Sequence, residues 1–262
     1  MDEVDIPGAT LRVDQSGRGA PAIFVHGFGG DLHTWDALWR ALGADCAALR
    51  YDLRGFGRSI GAAGEAFDHA ADLLALSDAR GLEFFDLIGV SMGGAIALNF
   101  ALDHPERVRR LVLISPGMVG WEWSEDWRAQ WSAIEERARA GALDEARALY
   151  FRHPMFDGVR GGAEEAALRQ SIAQYSGAHW IKDDHVLKMP DIERVHALAA
   201  PTLLLSGERD LPDFQLIAEV INASAAHVTH VRIPGCGHML NLEAPEICAE
   251  AVSAFLGGEA AA

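Results

Sequence analysis

The chain has 262 residues, half of them apolar, which suits one large folded unit or a core with a modest insertion. Lys and Arg number 22 against 38 Asp and Glu, giving a formal net charge of −16 and no basic run. That negative field argues against nucleic acid and anionic membrane surfaces as partners.

Three cysteines, Cys46, Cys236 and Cys248, are too few and too scattered for a disulfide framework or a C-x-x-C metal site. Cys46 lies in a strand-like run and Cys248 in a helix-like one, so both read as small core residues. The acidic start, Met1 to Asp5, lacks the apolar segment of a secretory signal. The apolar runs fall short of the ~18–20 residues a membrane span requires. A reducing cytoplasm is the expected compartment.

In chain order, Ala22 to Val25 reads as a buried strand, Asp36 to Leu42 as a short helix and Ala47 to Tyr51 as a second strand. Phe67 to Arg80 carries apolar residues at helical spacing. Phe84 to Ile88 is a strand that leads into Gly89-Val90-Ser91-Met92-Gly93. A helix through Gly94 to Leu102 and a strand over Val108 to Ile114 follow. Strands recurring with helices between them indicate βαβ units and a parallel sheet with helices on both faces.

The rhythm breaks near Trp121. From there to about Pro190 no convincing strand occurs, and five of the seven tryptophans fall in this stretch. Helices are expected over Asp126 to Ala140, Asp144 to Phe151 and Ala163 to Ala173. The strand pattern resumes at Pro201 to Ser206, followed by a helix through Phe214 to Ile221. A last strand, Val228 to Ile233, and a helix, Pro245 to Leu256, precede a frayed tail from Gly257. The expected organisation is a core of residues 1–120 and 190–262, with a helical insertion over 121–189.

The pentapeptide around Ser91 is a G-x-S-x-G turn between a strand and a helix. Such a turn pushes the hydroxyl out above the sheet edge and aims the next N–H, that of Met92, into the same space. A serine hydroxyl needs a general base and a carboxylate that orients it. Of eleven histidines, only His238 follows a late strand in a glycine-rich loop, Pro234 to His238. His104 lies near a helix end, His153 and His196 on expected surfaces, and His227 and His230 around a strand. For the carboxylate, Asp210 follows the strand Leu203 to Leu205 and is placed to reach His238, ahead of its neighbours Glu208 and Asp213. A second oxyanion donor should come from a loop after an earlier strand. His26-Gly27-Phe28-Gly29-Gly30 is the glycine-rich candidate, with the Phe28 N–H as donor and His26 as a structural loop residue.

Together these residues resemble the α/β-hydrolase family. The resemblance rests on His26-Gly27-Phe28-Gly29, the turn Asp52 to Ser59, Gly89 to Gly94, and Gly235-Cys236-Gly237-His238, in family order from residue 21 onward. It implies an eight-stranded, mostly parallel α/β sheet with a helical cap inserted after strand six. It also implies a Ser91–His238–Asp210 triad, a Phe28/Met92 oxyanion hole, and a structural Arg54 that ties its turn down. Asp31 to Asp36 and Leu49 to Gly55 look most like small-molecule esterases and 3-oxoadipate enol-lactone hydrolases. Meta-cleavage-product hydrolases, which split carbon–carbon bonds, are the second resemblance, although they carry Trp where this chain has Met239. Cofactor-free perhydrolases share the Arg54 to Ser59 turn but have Pro in place of Gly29. Dehalogenases and epoxide hydrolases of this fold use Asp where this chain has Ser91. Receptors of the same fold are the non-enzymatic alternative, though they often lack a triad member.

Trp123, Trp127 and Trp131 share one helix face. That face either packs the insertion onto the core or lines a pocket, with Trp127 and Trp131 as the expected substrate contacts. Phe28, Met92, Leu211 and Met239 would form the floor of such a pocket. The expected partner is a small hydrophobic ester or lactone; a homodimer is left open. An anionic lactone would want an arginine, and Arg128, Arg147, Arg152 and Arg169 lie in the insertion. Asp183-Asp184-His185 reads as a solvated loop rather than a metal site. The sequence has no H-E-x-x-H, Walker or dinucleotide motif, so no metal or cofactor is expected.

Overall fold

The computed structural model describes residues 1–42, 47–62, 64–186 and 189–258. Its strands are β1 (Asp2–Ile6), β2 (Ala9–Ser16), β3 (Pro21–Val25), β4 (Ala47–Tyr51), the two-residue β5 (Ile60–Gly61), β6 (Phe85–Val90), β7 (Val108–Ile114), β8 (Thr202–Gly207) and β9 (Val228–Ile233). The sheet runs β1-β2-β4-β3-β6-β7-β8-β9, with β5 attached to β2. The six strands from β4 to β9 in that order are parallel, and the β1–β2 and β2–β4 pairs are antiparallel. The eight long strands thus form the expected mostly parallel sheet.

Alternation along each strand builds two apolar layers. Ile23, Val25, Leu87, Leu111 and Leu113 face the layer completed by α2 (His69–Ala79), α3 (Met92–Asp103) and α8 (Pro212–Ser224). Phe24, Ile88, Val90, Val112 and Ile114 face the layer of α1 (Asp36–Leu42) and α10 (Pro245–Gly257). Covered on both sides, β6 and β8 are buried throughout, which is why they read as continuous apolar runs. The hairpin β1–β2 lies at the sheet edge and was not visible in the pattern. Its residues alternate exposed charge with burial, so that Asp2, Glu3 and Asp5 mask the buried Val4 and Ile6.

After β7, the sixth long strand, come α4 (Glu125–Arg139), α5 (Leu143–Phe151), α6 (Glu165–Gln174) and α7 (Ala178–Ile181), before β8 resumes the sheet. Ile134, Tyr150, Phe156, Ile172 and Trp180 from this segment join the apolar layer of α2 and α3. One isolated bridge, Phe67 to His185, straps it to the core. No helix among the described residues is long and apolar enough to cross a membrane. Cys46, expected in a strand, and residues 259–262 of the expected tail lie outside the described residues. Cys248 is buried in α10, and Gly257 is the last helical residue rather than the start of a frayed end.

The turn after β4 is held by charge. Arg54 donates from Nε and Nη2 to the two oxygens of Asp72, at 2.9 and 2.6 Å, and from Nη2 to the Pro7 carbonyl at 2.8 Å. Both partners are buried, and burial pushes the Asp72 carboxyl up. Removing one partner strands the other charge away from water. Arg54→Met is expected to cost about 3–5 kcal/mol in urea unfolding. The double variant Arg54→Met/Asp72→Leu should recover most of that, because no unpaired charge remains.

Candidate active site

Parallel strands bring their C-terminal ends, and the loops after them, to one edge of the sheet. The turn after β6 places Ser91 there with φ 54° and ψ −118°, a left-handed conformation uncommon for a residue with a side chain. Backbone bonds hold it there. The Ser91 N–H donates to the Ile114 carbonyl at 3.0 Å, and its own carbonyl accepts from Ala95 and Gly117 at 3.0 and 2.9 Å.

The loop after β9 delivers His238, whose Nε2 lies 2.9 Å from Ser91 Oγ. The loop after β8 delivers Asp210, whose Oδ1 lies 3.0 Å from His238 Nδ1. The same Oδ1 accepts the Leu211 N–H at 2.7 Å. The His238 and Asp210 side chains are sealed from solvent. Of the competing carboxylates, Glu208 accepts the Gly235 N–H and Asp213 accepts from Trp121, the Ser124 N–H and the Ser124 hydroxyl. Asp210 is therefore the carboxylate on His238. Glu243 in α9 (Leu240–Glu243) accepts the N–H groups of Gly237 and Met239 at 2.6 and 3.0 Å, gripping the backbone on either side of His238. Nothing in the sequence marks this role, because an acid in a short helix looks like a solvated one.

The loop after β3 passes directly over Ser91. A Cβ on Gly27 would lie 3.3 Å from the Ser91 Cβ, so a side chain there would crowd the serine. The Phe28 carbonyl accepts from the Tyr150 hydroxyl at 2.7 Å, which ties this loop to α5. Met92 opens α3, where backbone N–H groups lack helical partners. His26 is a loop brace, as expected. Its Nδ1 bonds the Gly27 carbonyl and its Nε2 accepts the Leu53 N–H, while burial lowers its pKa.

Ser91 opens onto two cavities. The larger, about 690 Å³, is walled by Met92, Ile96, Trp123, Trp127, Trp131 and Phe214. The smaller, about 200 Å³, is walled by Phe156, Leu168, Ile172, Met239 and Leu242. Phe28, Tyr150 and Met155 line both. The three tryptophans stack in sequence, with centroids 4.6 and 5.5 Å apart, and Phe28 meets Trp131 edge to face at 4.9 Å. Phe214 covers the His238 ring at 4.1 Å.

Of the expected substrate contacts, Trp127, Trp131 and Met239 line a cavity and Leu211 does not. Leu211 directly follows Asp210 and caps α8, so its backbone serves the carboxylate while its side chain packs elsewhere. The expected arginines Arg128, Arg147, Arg152 and Arg169 line neither cavity. Arg147 bonds the Tyr175 carbonyl and Asp144, and Arg169 lies over Phe151. Among the described residues no Arg or Lys lines either cavity. His185, expected in a solvated loop, is half-buried and lines the larger cavity, and among the described residues no three ligand-type side chains are grouped to hold a metal.

His153, expected on the surface, is buried between α5 and the turn after it. Its ring stands edge-on to Trp127 at 5.1 Å. Its Nδ1 accepts the Met155 N–H, so Nε2 carries the proton, with no conventional acceptor. Burial, then the His238 ring, pulls its pKa down to about 4. Burial lowers His69 and His185 in the same way. The unfolded chain takes up these protons below about pH 6.5 and the folded one does not. The histidine contribution to stability should therefore be complete above that pH and fall toward pH 4. Thermal melts across this range should show the loss, and His153→Phe should shrink it.

The family model described as the alpha/beta hydrolase fold matches residues 21–245. A 2-hydroxymuconate semialdehyde hydrolase of Pseudomonas sp. (strain CF600) is 30% identical, with 97% of this chain and 93% of that protein covered. A putative carbamate hydrolase of Klebsiella pneumoniae (strain 342) is also 30% identical, over 86% of each. Among solved structures, the enol-lactonase from Burkholderia xenovorans LB400 superposes with a TM-score of 0.82 at 20% identity, covering 98% of this chain and 100% of that one. A carboxylesterase from Bacillus subtilis gives the same TM-score at 24% identity, covering 98% and 91%. At those identities the two structures establish the fold alone, while the family match and the 30% relatives extend over most of the sequence. The chain belongs to the α/β-hydrolase fold family.

Proposed function

We propose that the protein is a serine hydrolase that cleaves a small, hydrophobic carboxylic ester or lactone through an acyl-enzyme on Ser91. The observation that carries this reading is the hydrogen-bonded line Asp210–His238–Ser91, sealed from water except at the serine. His238 Nε2 takes the Ser91 proton as Oγ attacks the carbonyl carbon. The N–H groups of Phe28 and Met92 hold the resulting oxyanion. The C–O bond then breaks, the leaving alcohol receives the proton from His238, and the acyl group stays on Ser91. Water, losing a proton to His238, attacks the acyl carbon and restores the serine. Asp210 holds the imidazole in the tautomer that presents Nε2 as acceptor and stabilises its charged form. This route requires no cofactor.

In this reading the segment 121–189 is a cap over the core of residues 1–120 and 190–262. Its tryptophans supply the apolar wall against which an acyl or aryl group rests, with Trp131 against Phe28 and Trp127 stacked on Trp131. A neutral ester suits the lining better than a carboxylate substrate, since Arg128, Arg147, Arg152 and Arg169 line neither cavity. The 30% relative of the semialdehyde type supports a second reading, hydrolysis of a carbon–carbon bond by the same residues. The deciding experiment is a panel of neutral esters, lactones and a meta-cleavage diketone, run on the wild type and Ser91→Ala. Ester turnover that needs Ser91 supports the first reading, and turnover of the diketone alone supports the second. Absence of both, with no labelling by a fluorophosphonate, would leave a binding protein.

A further inference from the structure

The larger cavity has one buried amide in its wall. Asn99 stands on α3, and with Ala95 and Ile96 it forms the helix face that runs from Ser91 into that cavity. Eight residues of helix at 1.5 Å each place it about 12 Å along the axis from the serine. The cavity wall also includes the apolar Ile96, Met118 and Val119 and the polar Asp68, Asp183 and His185.

The direction of this amide is fixed from behind. Asn99 Nδ2 donates to Asp191 Oδ1 at 2.9 Å. Asp191 is fully buried, and the same oxygen accepts from Arg194 Nε and Nη2 at 3.1 and 2.8 Å. Turning the amide over would set a carbonyl oxygen against a carboxylate oxygen, with no proton between them. The Asp191–Arg194 pair therefore holds one N–H of the amide toward Asp191 and fixes which end of the amide is the oxygen. The other end of the amide, Oδ1, accepts no hydrogen bond from the described residues and is not among the sealed, unpartnered polar atoms. It is an acceptor for which no described residue supplies a donor, on a residue that lines the cavity.

We infer that Asn99 is a specificity-determining residue, selecting substrates that carry a hydrogen-bond donor, a hydroxyl or an amine, at the end remote from the scissile carbonyl. The substrate class is then an elongated ester with an apolar body that rests on the tryptophans and a donor that reaches Asn99 Oδ1. A substrate ending in methyl leaves that oxygen dry and unpaired. Buried polar groups left without partners discriminate strongly against such analogues. This inference rests on the proposal that the Ser91 site is the substrate site.

The test uses three matched series of esters of graded length, ending in hydroxyl, methoxy or methyl. Each series carries the variable end once on the acyl side and once on the alcohol side. Methoxy keeps an acceptor but has no donor, so it separates donor recognition from mere polarity. At one length on one side, kcat/KM for the hydroxyl ester should exceed both others by about tenfold. Asn99→Leu should erase that ratio, and Asn99→Ala serves if the leucine variant does not fold. Equal rates for the three ends in the wild type, or a ratio that survives in the variants, overturns the inference. The same ligands titrated into Ser91→Ala by calorimetry give a parallel ratio of Kd values. If the wild type hydrolyses none of the esters, the proposed reaction fails, and the Kd ratio still decides the role of Asn99.

Discussion

Replacing Ser91 by alanine is expected to lower kcat on any ester substrate by about 10⁴- to 10⁶-fold, while thermal unfolding stays near that of the wild type. The loss follows from chemistry rather than from folding. The hydroxyl makes one hydrogen bond, to His238, and the backbone of residue 91 makes the others, to Ile114, Ala95 and Gly117. Alanine keeps the Cβ and the same φ of 54°, so the strain in the turn is unchanged. Activity above a tenth of wild type in an alanine variant free of wild-type carry-over would mean that another group attacks the carbonyl.

Legibility tracked the number of physical constraints acting on each residue. The strands β3, β6, β7 and β8 are buried on both faces and nearly unbroken in apolar residues, so they stand out in the sequence. The hairpin β1–β2 has no apolar run to mark it, because an edge strand with one wet face can spend every second position on charge. Ser91, Asp210 and His238 were legible because each follows a strand at the same edge, and their loops are glycine-rich or polar where the chain could have been anything. Glu243, Asn99 and Tyr150 were not. They sit in helical runs, and what they do depends on partners about 6, 92 and 122 residues away in the chain, which no local pattern encodes. His153, expected on a surface, carries no mark of burial in its sequence neighbourhood. Its burial comes from the tryptophan face of α4 closing over it.

The same reasoning explains why the triad is easier to read than the substrate. The proposed acyl transfer demands a narrow set of side chains at fixed separations, and among the described residues Ser91, His238 and Asp210 meet that demand. An apolar pocket demands only volume and shape, which many sequences supply. The tryptophans announce a pocket and leave its occupant open. Residues that narrow the choice, such as Asn99 with its oriented amide, draw their meaning from a half-buried ion pair behind them.

The glycines around Ser91 yield the second large effect. A Cβ on Gly93 would lie 2.1 Å from the Val25 carbonyl oxygen and 2.5 Å from that of His26, both backbone atoms at the end of β3. Those atoms cannot swing aside as a side chain could. Relief requires α3 to move off the sheet or the loop from His26 to Gly30 to move off Ser91. The first route separates a helix from the apolar layer it completes. The second shifts the Phe28 N–H from the position proposed for the oxyanion, where a misplacement of about 1 Å costs on the order of 10²-fold in rate. Gly93→Ala is therefore expected to cost about 3 kcal/mol in urea unfolding and, in whatever fraction folds, to lower kcat by about 10²-fold with a smaller change in KM. Gly257→Ala is the matched control, since a Cβ at that helical position meets nothing within 4 Å. It should be neutral or slightly stabilising, because alanine loses less backbone freedom on folding than glycine. If Gly93→Ala instead unfolds at the same urea midpoint as Gly257→Ala and keeps full activity, the serine turn does not depend on the close approach of α3 to β3. The oxyanion geometry proposed for Phe28 would then have to be set by the Tyr150 contact alone.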